Sequence, residues 1–165
     1  MKVMVREGRK RHWASLLAWR GVCYGVSALG GLATVHAVET WYPTLMHPAG
    51  TPPNWVFEPV WMALYGLMAV AAWLVWTAED GVTRRRGIVW FCVQLAANLM
   101  WSFVFFGMQR TELGMLDIAL LWVFIVATMV PFFKVSRVAG WLMVPYLAWV
   151  TYAGYLNWGI WTLNR

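Results

Sequence analysis

The chain has 165 residues, of which 61% are hydrophobic and 12% are charged, and its formal net charge is +6. Soluble domains are usually about 45–50% apolar and about 25% charged, and disordered chains need low hydrophobicity with high charge. A soluble fold of this length cannot hide so much apolar surface in one core. The composition therefore predicts one membrane domain that covers residues 1–165.

Two features of the composition exclude other classes of protein. The two cysteines, Cys23 and Cys92, are too few for a disulfide framework or a four-ligand zinc site. The basic residues lie at the ends of apolar segments and not on one polar face, which is typical of membrane topology. We therefore expect the lipid bilayer as a partner, with no nucleic acid and no metal site.

Five apolar stretches have about the 20 residues that a bilayer-crossing helix needs. In chain order they are residues 13–35, 55–77, 88–108, 113–133 and 140–163. Each stretch is continuously apolar and does not alternate as a barrel strand would. The predicted fold class is therefore an all-α membrane protein with a bundle of five transmembrane helices. The prolines of residues 36–54 predict an irregular connection between the first two spans.

The placement of Lys and Arg predicts the orientation of the bundle. With five crossings, Arg110 and Arg165 fall on one side of the membrane. The other eleven fall on the opposite side: Lys2, Arg6, Arg9, Lys10, Arg11, Arg20, Arg84, Arg85, Arg86, Lys134 and Arg137. Because cytoplasmic loops carry an excess of Lys and Arg, we expect a cytoplasmic N-terminus. The same bias favours a bacterial inner membrane over an outer membrane.

Twelve of the fourteen tryptophans divide into two groups by their predicted depth in the membrane. Seven lie near span ends, where indole rings prefer the membrane interface: Trp13, Trp41, Trp55, Trp76, Trp90, Trp158 and Trp161. Five lie deeper: Trp61, Trp73, Trp101, Trp122 and Trp149. A buried indole N–H needs an acceptor, and in lipid only the protein or a bound ligand supplies one. The deeper rings are therefore the informative ones, since each predicts an acceptor in the protein or in a bound ligand.

Aromatic and amide side chains share one face on each of three spans, at helical spacing. These faces carry Trp61, Tyr65 and Met68, then Gln94, Asn98 and Trp101, and finally Trp149, Ala153 and Asn157. Amides that face hydrocarbon are costly, so the three faces should turn inward. They fit the lining of a ligand pocket and equally a set of hydrogen bonds between helices, and the spacing leaves both open.

Polar or small residues in two other spans also have alternative interpretations. Gly21 and Gly25 form a GxxxG pattern that suits close packing within the bundle or between two chains. Asp117 lies about one turn into the fourth span. A carboxylate there fits an interfacial position favoured by the helix dipole, and a proton or ligand role is the alternative.

Three separated motifs resemble the TspO/MBR family of tryptophan-rich sensory proteins and translocator proteins, the latter also called peripheral benzodiazepine receptors. The first motif is PPNWVFEPVW, which runs from Pro52 to Trp61. The second is QLAANLMW, which ends at Trp101, and the third is VPYLAW, which ends at Trp149. The resemblance covers residues 41–161, and the motifs fall in order on the predicted spans.

The resemblance implies a five-helix bundle, commonly a homodimer through the third helix, with a pocket capped by residues 36–54. It implies that the pocket binds porphyrins such as protoporphyrin IX and haem, and other small hydrophobic ligands, with no obligatory cofactor. Trp61 and Trp149 match two pocket tryptophans linked with porphyrin binding and light-dependent porphyrin breakdown, so they are also candidate catalytic residues. The other candidate ligand-binding residues are Tyr42, Pro52, Tyr65, Asn98, Trp101, Ala153 and Asn157.

Three positions depart from the pattern of the family. Gly50 stands where the loop often has tryptophan, which predicts a looser loop and altered ligand selectivity. Glu58 stands where glycine is common, which predicts a carboxylate solvated at the helix mouth, with repulsion of a porphyrin propionate as the alternative. Trp158 replaces the tyrosine of a sterol motif found in mitochondrial members, which weakens the case for a sterol ligand.

The leading hypothesis is an integral membrane sensor or translocator that binds tetrapyrroles in a Trp-lined pocket. One alternative is a membrane enzyme that degrades porphyrin in the light, and another is a transporter or scaffold for small hydrophobic ligands. The sequence has no nucleophile–base pair and no phosphate loop, so it supplies no conventional enzyme site. It does not reveal the physiological ligand.

Overall fold

The computed structural model describes the backbone of residues 2–165 and the side chains from His12 onward. Five α-helices follow one another: α1 Lys2–Thr40, α2 Phe57–Trp76, α3 Val82–Ser102, α4 Thr111–Val135 and α5 Arg137–Leu163. A π-helical segment, Phe103–Gly107, extends α3, and two 3-10 turns, Tyr42–Thr44 and Asn54–Val56, lie between α1 and α2. No strand occurs in the part of the chain that is described, which confirms the all-α fold.

Four helical segments are long and apolar enough to cross a membrane: His12–Thr40, Asn54–Trp76, Val82–Gly107 and Thr111–Val135. The 27-residue helix α5 does not reach the same apolarity. It is rich in tryptophan and tyrosine, whose rings carry polar groups, although its length of about 40 Å exceeds the bilayer core. The crossing by α5 therefore stays a prediction.

The connection between α1 and α2 is shorter than the sequence predicts. Helix α1 continues to Thr40, so the expectation that the irregular segment begins at His36 is wrong for residues 36–40. The first proline of the segment is Pro43, so residues 36–40 contain no proline and are free to continue the helix. We call residues 41–53 the capping loop from here on.

The five helices form a closed ring in the order α1, α2, α5, α4, α3. The indole of Trp73 donates a hydrogen bond to the carbonyl of His12 at 2.9 Å, so α2 ends beside the start of the apolar part of α1. The side chain of Asn164 donates to the carbonyl of Met46 at 2.9 Å, so α5 ends beside the capping loop. The start of α1 and the end of α5 therefore lie at opposite ends of the bundle.

The solid core fills the end of the bundle where α1 starts. Its largest buried side chains include Met68, Phe91, Phe132, Met143 and Tyr146. The rings of Phe91 and Phe132 stack with centroids 5.8 Å apart. Close packing of this kind leaves little empty volume, so any ligand space has to lie toward the capping loop.

Glycines decide how closely α1 approaches its neighbours. A Cβ atom at Gly30 would lie 3.1 Å from the Ser102 hydroxyl oxygen, so α1 and α3 approach closely there. A Cβ atom at Gly21 or Gly25 would meet no atom within 4 Å. The GxxxG pattern therefore does not pack helices within this chain, and only its use between chains remains open.

The charged residues that predict the orientation are only partly described. Lys2, Arg6, Arg9, Lys10 and Arg11 lie outside the residues whose side chains the structure describes. In the connection after α2, Arg85 pairs with Asp80 at 2.7 Å, and this hydrogen bond lowers the pKa of Asp80 to about 2. The orientation of the bundle stays a prediction.

Candidate ligand-binding cavity

A cavity of about 630 Å³ lies between α1, α2, α3 and α5 and below the capping loop. Pockets for small organic ligands are usually about 300–1,000 Å³ and mostly apolar. The cavity begins where the solid core ends, so the bundle is packed at one end and hollow at the other. This volume is sufficient for a ligand and not only for a few water molecules.

Eight of the nine ligand-binding residues predicted from the sequence line this one cavity: Tyr42, Trp61, Tyr65, Asn98, Trp101, Trp149, Ala153 and Asn157. They come from the capping loop and from α2, α3 and α5. The ninth, Pro52, is half-buried in the loop and does not line the cavity. The three faces identified by helical spacing therefore do converge.

A hydrogen-bond network at Asn98 forms the inner wall of the cavity. The hydroxyl of Tyr65 donates to the side-chain oxygen of Asn98, and the Asn98 amide donates to the hydroxyl of Tyr146 at 2.9 Å. The Tyr146 hydroxyl in turn donates to Gln94 at 2.9 Å. Gln94 is fully buried and lies outside the cavity, so it only joins helices, whereas Asn98 joins helices and lines the cavity.

Asn157 has the same double role nearer the capping loop. The indole of Trp101 donates to the Asn157 side-chain oxygen at 3.1 Å, and the Asn157 amide donates to the Thr111 carbonyl at 2.8 Å. Trp101 also stacks on Phe105, with ring centroids 5.2 Å apart. Asn98 and Asn157 therefore fit both interpretations of the inward amides, because each lines the cavity and also forms hydrogen bonds to neighbouring helices.

The two candidate tryptophans line the cavity from α2 and α5. Trp61 contacts Tyr65, with ring centroids 5.8 Å apart, and Trp149 contacts Phe57 edge-on at 5.9 Å. The Nε1 atom of Trp149 is buried and has no hydrogen-bond partner among the described residues. Unsatisfied buried donors are rare in proteins, so this indole can gain an acceptor if a ligand shifts its ring.

The capping loop is tied to α5 by side chains of that helix. The hydroxyl of Tyr152 donates to the Gly50 carbonyl at 2.6 Å, and the hydroxyl of Tyr155 donates to the Ala49 carbonyl at 3.0 Å. Pro48 packs so closely on Gly159 that a Cβ atom at residue 159 would lie 2.6 Å from the proline ring. Gly50, where the sequence predicts a looser loop, has φ +84° and is one of the tied positions.

Tyr42 closes the cavity at the base of the capping loop. Its ring packs against His47 and Phe106, with centroids 4.5 Å and 5.9 Å away. Burial, together with the smaller effect of the nearby hydroxyl of Tyr152, raises the pKa of Tyr42 to about 12. The hydroxyl therefore stays neutral at physiological pH, as suits a mostly apolar wall.

Sequence reasoning missed the contribution of α1 and of the π-helical segment. Ser27, Gly31 and Thr34 of α1 line the cavity at i, i+4 and i+7, a polar and small face that the sequence does show. Phe105 and Phe106 line it from the π-helical segment. Two adjacent residues of a regular helix point about 100° apart, so spacing alone could not have predicted that both rings face inward.

Some residues singled out in the sequence lie elsewhere. Trp122 is 41% exposed and does not line the cavity, and its indole finds a protein acceptor in the Thr151 hydroxyl at 2.9 Å. Asp117 is half-buried, and one of its oxygens has no hydrogen-bond partner among the described residues, but it does not line the cavity.

Membrane-length helices arranged around an internal aromatic cavity define a multi-pass helical membrane protein. Residues 19–162 match the TspO/MBR family, and the chain belongs to this family. The match spans every helix that contributes to the cavity wall. It extends beyond the three motifs that carry the resemblance in sequence, and it includes most of α1.

Relatives of this family from distant organisms are similar over most of this chain. The tryptophan-rich protein TspO of Chlorobaculum tepidum is 44% identical over 87% of this chain and 92% of its own length. Protein CrtK of Rhodobacter capsulatus is 39% identical over 82% of this chain and 85% of its own. The human translocator protein is 36% identical over 76% of this chain and 75% of its own.

Proposed function

We propose that this protein is a membrane receptor that binds a flat tetrapyrrole, such as protoporphyrin IX or haem, in the aromatic cavity. The observation that carries the proposal is the convergence of Trp61, Trp101 and Trp149, from three different helices, on a single space of about 630 Å³. A porphyrin is a flat and mostly apolar disc, and indole rings bind such surfaces by offset stacking and edge-on contacts.

The cavity wall supports recognition through aromatic surface more than through free amides. Asn98 and Asn157 already form hydrogen bonds with Tyr146 and Trp101. An exchange of these bonds for ligand bonds would bring little net gain. The ring faces of Trp61 and Trp149, by contrast, lie on the cavity with area available for stacking. We therefore expect affinity to depend mainly on the indoles.

The test is a titration with protoporphyrin IX in lipid nanodiscs, followed by porphyrin absorbance because the variants remove tryptophans. The double variant Trp61→Phe and Trp149→Phe should weaken binding about tenfold, since each aromatic contact contributes about 0.5–1.5 kcal/mol. The matched control is Trp13→Phe with Trp141→Phe, because these rings are 60% and 67% exposed. Saturable binding that the first pair leaves unchanged would reject this site.

We further propose that all five helices cross a bacterial inner membrane, with the N-terminus in the cytoplasm. The start of α1 and the end of α5 lie at opposite ends of the bundle, as an odd number of crossings requires. The basic residues cluster toward the start of α1 and the α2–α3 and α4–α5 connections. A reporter that works only outside the cytoplasm should be active when it is fused after Arg165. An inactive fusion, together with activity of a reporter that works only in the cytoplasm, would contradict this topology.

A homodimer through α3 is part of the same proposal. The exposed residues Val89, Cys92, Ala96 and Met100 form one face of α3 at helical spacing. Ala97 is half-buried and Gly107 is exposed, so small side chains flank this face. Small residues permit close approach of two helices in lipid.

A second candidate activity is light-dependent porphyrin breakdown, which the position of both candidate tryptophans favours. Trp61 and Trp149 line the space proposed for the porphyrin, where an excited ring can exchange electrons with an indole. Illuminated and dark incubations with product analysis separate a binder from a catalyst. A bilin product that requires both light and Trp149 supports the enzyme, whereas identical light and dark samples exclude it.

A further inference from the structure

We infer that the mouth of the cavity selects its ligand by charge, and this inference rests on the proposed function. We assign the mouth to the exposed residues with charged or amide side chains among those that line the cavity, which are Glu39, Asn54 and Glu58. Its two carboxylates disfavour a tetrapyrrole that carries carboxylates. They favour one whose polar edge is uncharged or cationic, so the preferred ligand class is narrower than tetrapyrroles in general.

The charges of the cavity wall carry this inference. Glu39 near the end of α1 and Glu58 in the first turn of α2 are the charged residues among those that line it, and both are exposed. No lysine or arginine in the described part of the chain lines the cavity. Neither carboxylate forms an ion pair with a described residue. A dianionic ligand would therefore meet two negative charges without a compensating cation.

The basic residues at this end of the bundle have other partners. Arg110 pairs with Glu112, and the guanidinium of Arg165 lies 4.0 Å from the ring centroid of Trp161. The basic residues at the beginning of the chain belong to the far end of α1. Arg11 lies 28 positions before Glu39 on the same helix, a separation of about 42 Å. None of these cations lines the cavity beside Glu39 and Glu58.

A dianionic ligand does not bind more favourably if it enters the cavity with its carboxylates first. If its carboxylates entered first, they would approach the inner wall at Asn98, whose amide is already bonded to Tyr65 and Tyr146. The Nε1 atom of Trp149 is an unpaired neutral donor in the cavity wall, but burial of a carboxylate without a cation still costs several kcal/mol. An ester of the same ring avoids both the burial of charge and the repulsion at the mouth.

The repulsion at the mouth is large enough to measure. Two unit charges about 4 Å apart interact by about 1 kcal/mol in water and by about 4 kcal/mol at an intermediate dielectric constant. Because the mouth is exposed, the interaction free energy lies toward the lower value. The two carboxylates together should therefore weaken the binding of a dicarboxylate about tenfold. Because the charges are exposed, salt should reduce the effect.

The experiment compares protoporphyrin IX with its dimethyl ester, which shares the ring and lacks both negative charges. Dissociation constants are measured in nanodiscs of zwitterionic phosphatidylcholine, at low and high salt. The proteins are the wild type, the double variant Glu39→Gln with Glu58→Gln, and the control Glu79→Gln, which removes an exposed carboxylate outside the cavity. The double variant should bind the free acid about tenfold more tightly at low salt and the ester unchanged, and the control should match the wild type.

The outcomes separate this inference from the proposal on which it rests. In the first case both porphyrins bind, but the double variant leaves the dissociation constant of the free acid unchanged or shifts the two dissociation constants equally. This result overturns charge selection and leaves the proposed receptor function intact. If neither porphyrin binds saturably to the wild type, both proposals fail. Unchanged ester binding in the double variant also shows that the variant is folded, so a change with the free acid alone reports charge.

Discussion

At the scale of single residues, the side chain of Asn98 joins three helices at the inner wall of the cavity. It accepts from Tyr65 of α2 and donates to Tyr146 of α5, while it belongs to α3 itself. The three groups are buried, at 3%, 5% and 0% exposure. Where buried polar groups satisfy one another, the loss of one leaves the others without partners.

This network predicts a coupling that can be measured. Asn98→Leu should lower the free energy of unfolding by about 1–3 kcal/mol, because it leaves a buried tyrosine hydroxyl without an acceptor. Tyr65→Phe removes that hydroxyl, so the double variant should lose less than the sum of the two single variants. The measurement is reversible unfolding in detergent. Strictly additive losses would contradict the bond between the two side chains.

Residue spacing predicted this wall well because an α-helix repeats regularly. Asn98 and Trp101 were expected to face inward, and both line the cavity. Trp122 was identified by its depth alone, and it lies on the outer surface, where the Thr151 hydroxyl is its acceptor. Depth along a helix does not specify direction around it, so depth predicted the need for an acceptor but not where the ring points.

At the scale of elements, the capping loop depends on α5. Tyr152 and Tyr155 donate to two adjacent loop carbonyls, and the Met46 amide donates to the Asn164 side chain at 2.8 Å. The ring of Trp149 lies 5.7 Å from that of Tyr152. The helix that lines the cavity therefore also holds its cover, so a shift of α5 would move both.

Removal of the two tyrosine hydroxyls should loosen the loop without opening the bundle. In Tyr152→Phe with Tyr155→Phe, the amides of residues 46–51 should exchange with deuterium about tenfold faster, since each neutral hydrogen bond contributes about 0.5–1.5 kcal/mol. The control is Thr162→Val, because its hydroxyl bonds only to carbonyls of α5. Equal exchange in the tyrosine variant and the control would show that the loop is held by other contacts.

At the scale of the whole molecule, the exposed face of α3 predicts a measurable dimer contact. Cys92 lies on this face and is exposed, whereas Cys23 is fully buried. The native protein therefore carries one accessible thiol at the proposed interface among its described residues. In dilute proteoliposomes, a short bismaleimide should link two copies through Cys92, because a dimer brings the two α3 faces together.

The Cys92→Ser variant is the control for this cross-link. It should give no covalent dimer, since Cys23 is not accessible to the reagent. Samples at higher lipid-to-protein ratios exclude links formed by random collision. If the mass of the wild-type protein in lipid is that of a dimer and no link forms, the dimer uses a different face.

The sequence by itself determined the class of protein, the number of helices and most of the cavity wall. Composition and run length depend only on which residues are present, and the apolar content fixes lipid as the solvent. The family motifs fall on helices whose inward faces follow from helical periodicity. For that reason seven of the predicted residues, from Trp61 to Asn157, line the cavity as periodicity and the motifs predict, whereas Tyr42 of the capping loop was predicted from the family resemblance alone.

Only the tertiary structure decided what depends on contacts between distant segments. The tie between the capping loop and α5 joins residues that are 102 and 106 positions apart, and no local pattern encodes such a pair. The share of α1 in the wall has the same origin, as do the π-helical turn that points Phe105 and Phe106 inward and the presence of Glu39 and Glu58 in one cavity wall. Helical periodicity fixes the faces of each helix, whereas packing decides which faces meet and where they leave a hollow.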